Sequence, residues 1–175
     1  MIMKKIMFND KYGLTQAVLE GRKTMTRRVV KGEIPLGNWE KTEKYAPYQV
    51  GEVVAIAQPY KDIYNDAYHI GLYGRTAGWS NKMYVAAYRM PHHIKITNIR
   101  VERLHDISNE DCLREGIEKC NIFGYRYNVH SSLYPINTTS PTARESFAEL
   151  IDKVSGVGTW ESNPLVWVYE FELVD

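Results

Sequence analysis

Five cations fall within twelve residues between Glu20 and Lys31: Arg22, Lys23, Arg27, Arg28 and Lys31. An even spread of the chain's 22 lysines and arginines would place about 1.5 there. One reading is a solvated charged edge. The sharper reading is an anion or phosphate site, because a guanidinium matches phosphate oxygens in a two-pronged geometry. Thr24 and Thr26 add hydroxyls that can bond a phosphate or act as nucleophiles. Neighbouring positive charge disfavours the protonated form of a lysine, so Lys23 is a candidate base toward a nearby hydroxyl. Lys23 and Thr26 stand three apart. They share a face on a helix and take opposite faces on a regular strand, and the sequence leaves both arrangements open.

The remaining chemistry-bearing residues are sparse. His92 and His93 are adjacent and would point to opposite faces of a strand, while His69, His105 and His130 are scattered, so no metal site is expected. Trp160 sits in a turn-rich stretch with Asn163, where an exposed indole could stack on a base or lie as a lid over the core. The chain has no phosphate-binding glycine loop, no dinucleotide fingerprint and no nucleophile elbow, and no cofactor is expected.

These residues belong to a chain of 175 residues with a formal net charge of +1. That length suits one domain with a sizeable core. The balanced charge means that any nucleic-acid affinity must come from a local patch. Two cysteines, Cys112 and Cys120, are too few for a disulfide framework and point to free thiols in a reducing cytoplasm. No apolar run of about 18 residues is present, and the N-terminus lacks a signal-peptide pattern, so no membrane partner is expected.

Several elements must position the basic segment. Leu14, Ala17 and Val18 form one stripe of a short helix over residues 11–20, which Gly21 is placed to end. Val53 to Ala57 reads as a strand buried on both faces. Residues 83–88 read as another strand. Residues 94–104 alternate as a strand whose phase slips at Asn98, as a bulge would make it. Ser108-Asn109-Glu110-Asp111 fits a capping box for a helix ending at Gly116. Ser140-Pro141 opens a helix with Phe147, Leu150, Ile151 and Val154 on its core face. Residues 165–174 alternate as a long last strand. Residues 31–47, 60–81 and 118–139 read as loop excursions. Few, short helices between strands argue for an α+β fold: a small β-barrel of mixed and antiparallel strands with flanking helices and long loop insertions.

Gly21-Arg22-Lys23-Thr24-Met25-Thr26-Arg27-Arg28, after a short helix, resembles the signature of the ASCH domain family, of the PUA-like superfamily of small β-barrels. Tyr48 to Val54, Ile96 to Gly116, Phe147 to Asp152 and Gly158 to Pro164 also resemble that family, in its longer bacterial and phage-type members. The likeness touches both ends and the middle of the chain but not the three excursions.

The resemblance implies a single PUA-like domain over 1–175 that binds RNA or a modified nucleoside in a basic cleft. Some compact members are amidohydrolases that deacetylate N4-acetylcytidine, and the resemblance carries their three catalytic residues onto Lys23, Thr26 and Glu115. Thr26 would attack the acetyl carbonyl while Lys23 takes its proton. Glu115 would protonate the leaving amine and then activate water. The other role open to Glu115 is a helix-end carboxylate paired with Arg114 or Lys119. Arg22, Thr24, Arg27, Arg28, Trp160 and Asn163 are the candidate substrate or nucleic-acid contacts. The alternatives are a non-catalytic RNA-binding module and a metal-independent ribonuclease with Lys23 as base. An exposed cleft lysine contributes little to stability, so Lys23→Ala is expected to leave the melting temperature nearly unchanged.

Overall fold

The computed structural model describes residues 3–120, 124–127 and 139–174. Two long strands form its spine. β4 (His93–Arg103) and β7 (Leu165–Leu173) run antiparallel, and the register slips between Ile96 and Asn98, where the sequence places its bulge. Val166 to Tyr169 are all buried, so β7 is covered on both faces at its middle.

β2 (Met25–Val29) lies antiparallel on the far side of β7, with Thr26 opposite Tyr169. β3 (Val53–Ile56) lies antiparallel beside β4, and β1 (Lys5–Ile6) pairs with β3 in parallel. Val54, Ala55 and Ile56 are fully buried, as the apolar run predicts. Their alternation sends Val54 and Ile56 into the main core and Ala55 into a second cluster.

The strand order is β1-β3-β4-β7-β2, and the sheet is open. This overturns the expected barrel. Closure requires the two outer strands to pair with one another, and β1 offers only two residues. The expectation of a few short helices also fails. Among the described residues there are seven α-helices and six 3-10 turns.

α1 (Leu14–Leu19) is followed by Gly21 at φ +72°, the left-handed conformation a glycine adopts most easily. α5 (Asn109–Arg114) is capped by Ser108, whose side chain accepts from the Asp111 amide. α6 (Ala143–Ser155), the longest, begins two residues later than Pro141 suggests, with Thr142 as the cap. It buries Phe147, Leu150 and Ile151.

The excursions hold more structure than their composition suggests. Residues 31–47 contain α2 (Trp39–Thr42) and a 3-10 turn. Residues 60–81 fold into α3 (Tyr60–Ile63) and α4 (Ala67–Tyr73), where Tyr60 and Tyr73 stack with centroids 4.2 Å apart. The strand expected at 83–88 is two 3-10 turns instead. Lys5 Nζ donates to the carbonyls of Lys82, Met83 and Val85 at 3.0, 2.7 and 2.8 Å, occupying acceptors that a strand ladder would need.

Within 118–139, β5 (Glu118–Cys120) and β6 (Gly124–Arg126) form a small second sheet. Residues 121–123 and 128–138 of that expected excursion, with His130, lie outside the described residues. Among the described residues no helix is long and apolar enough to cross a membrane.

Candidate functional site

The basic segment is placed by backbone bonds at both ends. After Gly21 the chain folds back on α1, and the amides of Arg22 and Lys23 both donate to the Ala17 carbonyl at 2.9 Å. The Thr24 amide then donates to the Arg114 carbonyl at the end of α5, also at 2.9 Å. Gly116 completes this contact at φ +102°. A Cβ there would sit 3.7 Å from the Lys23 Cβ and 3.4 Å from a Leu14 methyl. α5 therefore delivers Glu115 directly to Lys23.

Lys23 is 2% exposed and Glu115 4%. Lys23 Nζ donates to Glu115 Oε2 at 2.6 Å and to the Glu115 carbonyl at 2.8 Å. Arg27 Nη1 donates to Glu115 Oε1 at 3.1 Å. The partners of Glu115 are thus Lys23 and Arg27, not the Arg114 or Lys119 that a helix-end role would use. Lys23 is also not the exposed lysine that its charged neighbourhood suggests. Burial pushes its ammonium below the ordinary lysine value; Glu115 pulls the other way, and Arg28 and Arg27 lower it further.

Thr26 lies on β2, 4% exposed. Among the described residues nothing hydrogen-bonds its hydroxyl. Thr26, Lys23 and Glu115 line one cavity of about 30 Å3, closed on its apolar side by Phe8, Leu150 and Ile151. Lys23 lies before β2, so the opposite-face rule for a strand does not apply to Lys23 and Thr26. The cavity is large enough for a water or a small substituent and far too small for a nucleoside. A hydroxyl and a lysine of lowered basicity line the same cavity, with no hydrogen bond between them.

Arg27, its side chain fully buried, holds three carboxylates: Glu102 at 2.6 Å, Asp111 at 2.7 Å and Glu115 at 3.1 Å. Burial works against its charge, but the carboxylates outweigh it and raise its pKa. Arg100 bonds Glu102, Asp111 and Glu170 at 2.9, 2.7 and 2.6 Å. Arg114 bonds Glu170 at 2.8 Å and approaches the Thr24 hydroxyl at 3.3 Å. Four cations, Lys23, Arg27, Arg100 and Arg114, therefore face four carboxylates, Glu102, Asp111, Glu115 and Glu170. Sequence reasoning missed most of this network. Its signal was the spacing of Arg100 and Glu102, which alternation puts on one face of β4.

The remaining candidates are dispersed. Arg22 is engaged by Glu20 at 2.6 Å and by Glu118. Trp160 lies on α7 (Thr159–Ser162), its amide donating to Asp152 Oδ1 at 2.7 Å. Its indole packs on His105 at 4.5 Å between centroids, with the Arg144 guanidinium 5.0 Å from its ring centre. Asn163, at φ 44°, accepts from the His105 amide through Oδ1 at 2.8 Å. Trp160 and Asn163 close the corner between α6 and β7 and do not line the small cavity.

Arg28 differs from the other arginines. Among the described residues it pairs with no carboxylate. Its Nη2 donates to the Met7 carbonyl at 2.5 Å, and its guanidinium lies 5.7 Å from the Phe8 ring centre. It lines the small cavity and also a wider cleft of about 470 Å3. Among the described residues no group of three or more His, Cys, Asp or Glu could hold a metal ion.

No family model matches the chain, and no curated protein matches it in sequence. Solved structures that resemble it include the following two. One is protein EF3133 from Enterococcus faecalis V583, of family DUF984, at 16% identity and a TM-score of 0.48; the match covers 100% of this chain and 82% of that one. The other is an ASCH domain from Lactobacillus crispatus JV V101, at 10% identity and a TM-score of 0.38, covering 91% of this chain and 69% of that one. Both likenesses are remote, and neither bears on what this chain does.

Proposed function

We propose that the protein is an amidohydrolase that removes a small acyl group from a modified nucleobase, of which N4-acetylcytidine is the type. The observation that carries this reading is the single cavity shared by Thr26, Lys23 and Glu115. Its volume suits an acyl group, while the ring would occupy the wider cleft that shares Arg28.

The Thr26 oxygen attacks the acyl carbonyl carbon and its proton passes to Lys23. Arg28, which lines both spaces, stabilises the oxyanion. The bond from the carbonyl carbon to the exocyclic nitrogen breaks, and the amine takes a proton from Glu115. Glu115 then takes a proton from water as its oxygen attacks the ester carbon; the bond from that carbon to the Thr26 oxygen breaks, the oxygen takes its proton back from Lys23, and the carboxylic acid is freed. At rest the buried pair is in contact and braced by Arg27. One proton moving along the 2.6 Å contact from Lys23 to Glu115 supplies a neutral base and a protonated acid together.

The test is cytidine release from N4-acetylcytidine by the purified protein and by Thr26→Ala and Glu115→Gln. Turnover by the wild type that falls by about 100-fold or more in each variant supports the assignment. No release by folded wild-type protein removes it.

A further inference from the structure

Asn9 stands at the cap position of the 3-10 turn Asp10–Tyr12, with extended backbone at φ −84° and ψ 114°. An asparagine there ordinarily turns its side-chain oxygen back onto an amide of the turn. Asn9 does not: among the described residues its carboxamide makes no hydrogen bond. Local bonding falls to Asp10, which accepts from the Thr15 hydroxyl at 2.5 Å and from Lys82 Nζ at 2.7 Å. Asn9 instead lines the small cavity, together with Lys23, Thr26, Arg28 and Glu115.

The backbone around Asn9 is fixed. The Phe8 carbonyl accepts from Lys82 Nζ at 2.5 Å, and the Asn9 carbonyl accepts from the Leu14 amide at 3.0 Å. The Phe8 ring is approached by two cations of the site, Lys23 Nζ at 5.9 Å and the Arg28 guanidinium at 5.7 Å from its centre. Arg28 in turn donates to the Met7 carbonyl. Residues 7–9 therefore carry the anchor of Arg28 and, two positions on, an unspent carboxamide with two N–H donors. A donor on a fixed backbone that serves no bond in the folded protein is free to meet charge that exists only during reaction.

We propose that Asn9 is a catalytic residue, its carboxamide donating beside Arg28 to the oxyanion that forms on the acyl group. The inference rests on the functional reading above and adds a second donor to it. As the Thr26 oxygen bonds to the carbonyl carbon, the π pair of the C=O bond moves onto the carbonyl oxygen and the hydroxyl proton passes to Lys23. Asn9 and Arg28 hold that oxygen until the pair returns and the bond to the exocyclic nitrogen breaks.

The test is N4-acetylcytidine kinetics together with binding of methylboronic acid, followed by boron NMR, on wild type, Asn9→Ala and Asn9→Leu. The leucine keeps the side chain's size, so that no water replaces the lost donor. Boron accepts the Thr26 oxygen as its proton passes to Lys23, which gives a tetrahedral anion without turnover; Thr26→Ala identifies the place of the adduct by losing it. Neither Asn9 substitution removes a bond of the folded protein, so urea midpoints should not move, and midpoints lowered in both variants overturn the proposal. Where the wild type turns substrate over, kcat decides. It should fall by about 100-fold or more in both variants with KM nearly unchanged, as loss of one oxyanion donor implies. An unchanged kcat overturns the proposal and leaves the functional reading standing. Where the wild type does not turn substrate over, the functional reading falls and the adduct decides. An adduct weakened by about tenfold or more in both variants supports Asn9 as the cavity's anion donor. No adduct at Thr26, or one of unchanged strength, overturns it.

Discussion

Replacing Lys23 by methionine removes an ammonium while keeping most of the side chain's length. The protein loses the 2.6 Å contact to Glu115 Oε2 and the 2.8 Å bond to the Glu115 carbonyl, both in the interior. Breaking a buried pair by removing one partner costs about 3–5 kcal/mol, largely because the other charge is left behind. Arg27 still holds Glu115 Oε1, so the low end applies, about 3 kcal/mol. For a chain of this size that is a fall in melting temperature of roughly 6–12 °C.

The double variant Lys23→Met/Glu115→Leu removes both charges. It leaves three cations facing three carboxylates, with Arg27 still bonded to Glu102 and Asp111. It should recover more than half of the loss. Urea unfolding of wild type, both single variants and the double gives the coupling directly. A Lys23→Met protein within about 0.5 kcal/mol of wild type would refute the reasoning, because it would mean that the pair is solvated.

Two further outcomes follow from the titrating groups. Partial burial of Glu170 favours its neutral form, but hydrogen bonds from Arg114 and Asn98 and the charges of Arg114 and Arg100 outweigh it, holding the carboxyl below its usual value. A carboxyl lowered by folding adds stability above its unfolded value of about 4.3, and that stability is lost as pH falls through the lowered one. Glu170→Gln should therefore lower stability at pH 7 yet flatten its loss between about pH 5 and 3; an unchanged acid slope in urea midpoints would count against the network. Burial pushes the Cys112 thiol up to about 12, so it should resist a thiol-specific reagent at pH 8 until the protein unfolds, and rapid labelling of Cys112 in the native state would contradict its placement.

Local signals in the sequence translated well where local physics decides. The Asn98 bulge, the Ser108 cap, the glycine after α1 and the core face of α6 each depend on a few neighbouring residues. The open sheet was not legible in that way. Whether a set of strands closes depends on the pairing of its outermost members, and β1 is a two-residue strand set by a parallel contact with β3. The strand expected at 83–88 failed because a lysine nearly eighty residues away takes its carbonyls.

At the site, the local motif singled out Lys23 and Thr26 but left open how they face one another, and it did not show their burial. Lys23 looked exposed because charged runs usually are. The countercharges come from β4, α5 and β7, far along the chain, so a window around the motif sees only the cations. The wider cleft was missed for the same reason: Lys5, Tyr48 and Trp167 have no neighbourhood in common until the sheet brings them together.

The balance of four cations and four carboxylates also constrains how this chain can change by descent. A lone replacement at Glu170 takes the 2.8 Å partner of Arg114 and one of the three carboxylates of Arg100; a lone replacement at Asp111 takes one of three from Arg27 and from Arg100 together. Drift at these positions has to proceed by matched substitutions on different strands, or pass through a weakened intermediate. Positions 114 and 170, 56 residues apart, should therefore change together in any lineage that keeps this fold.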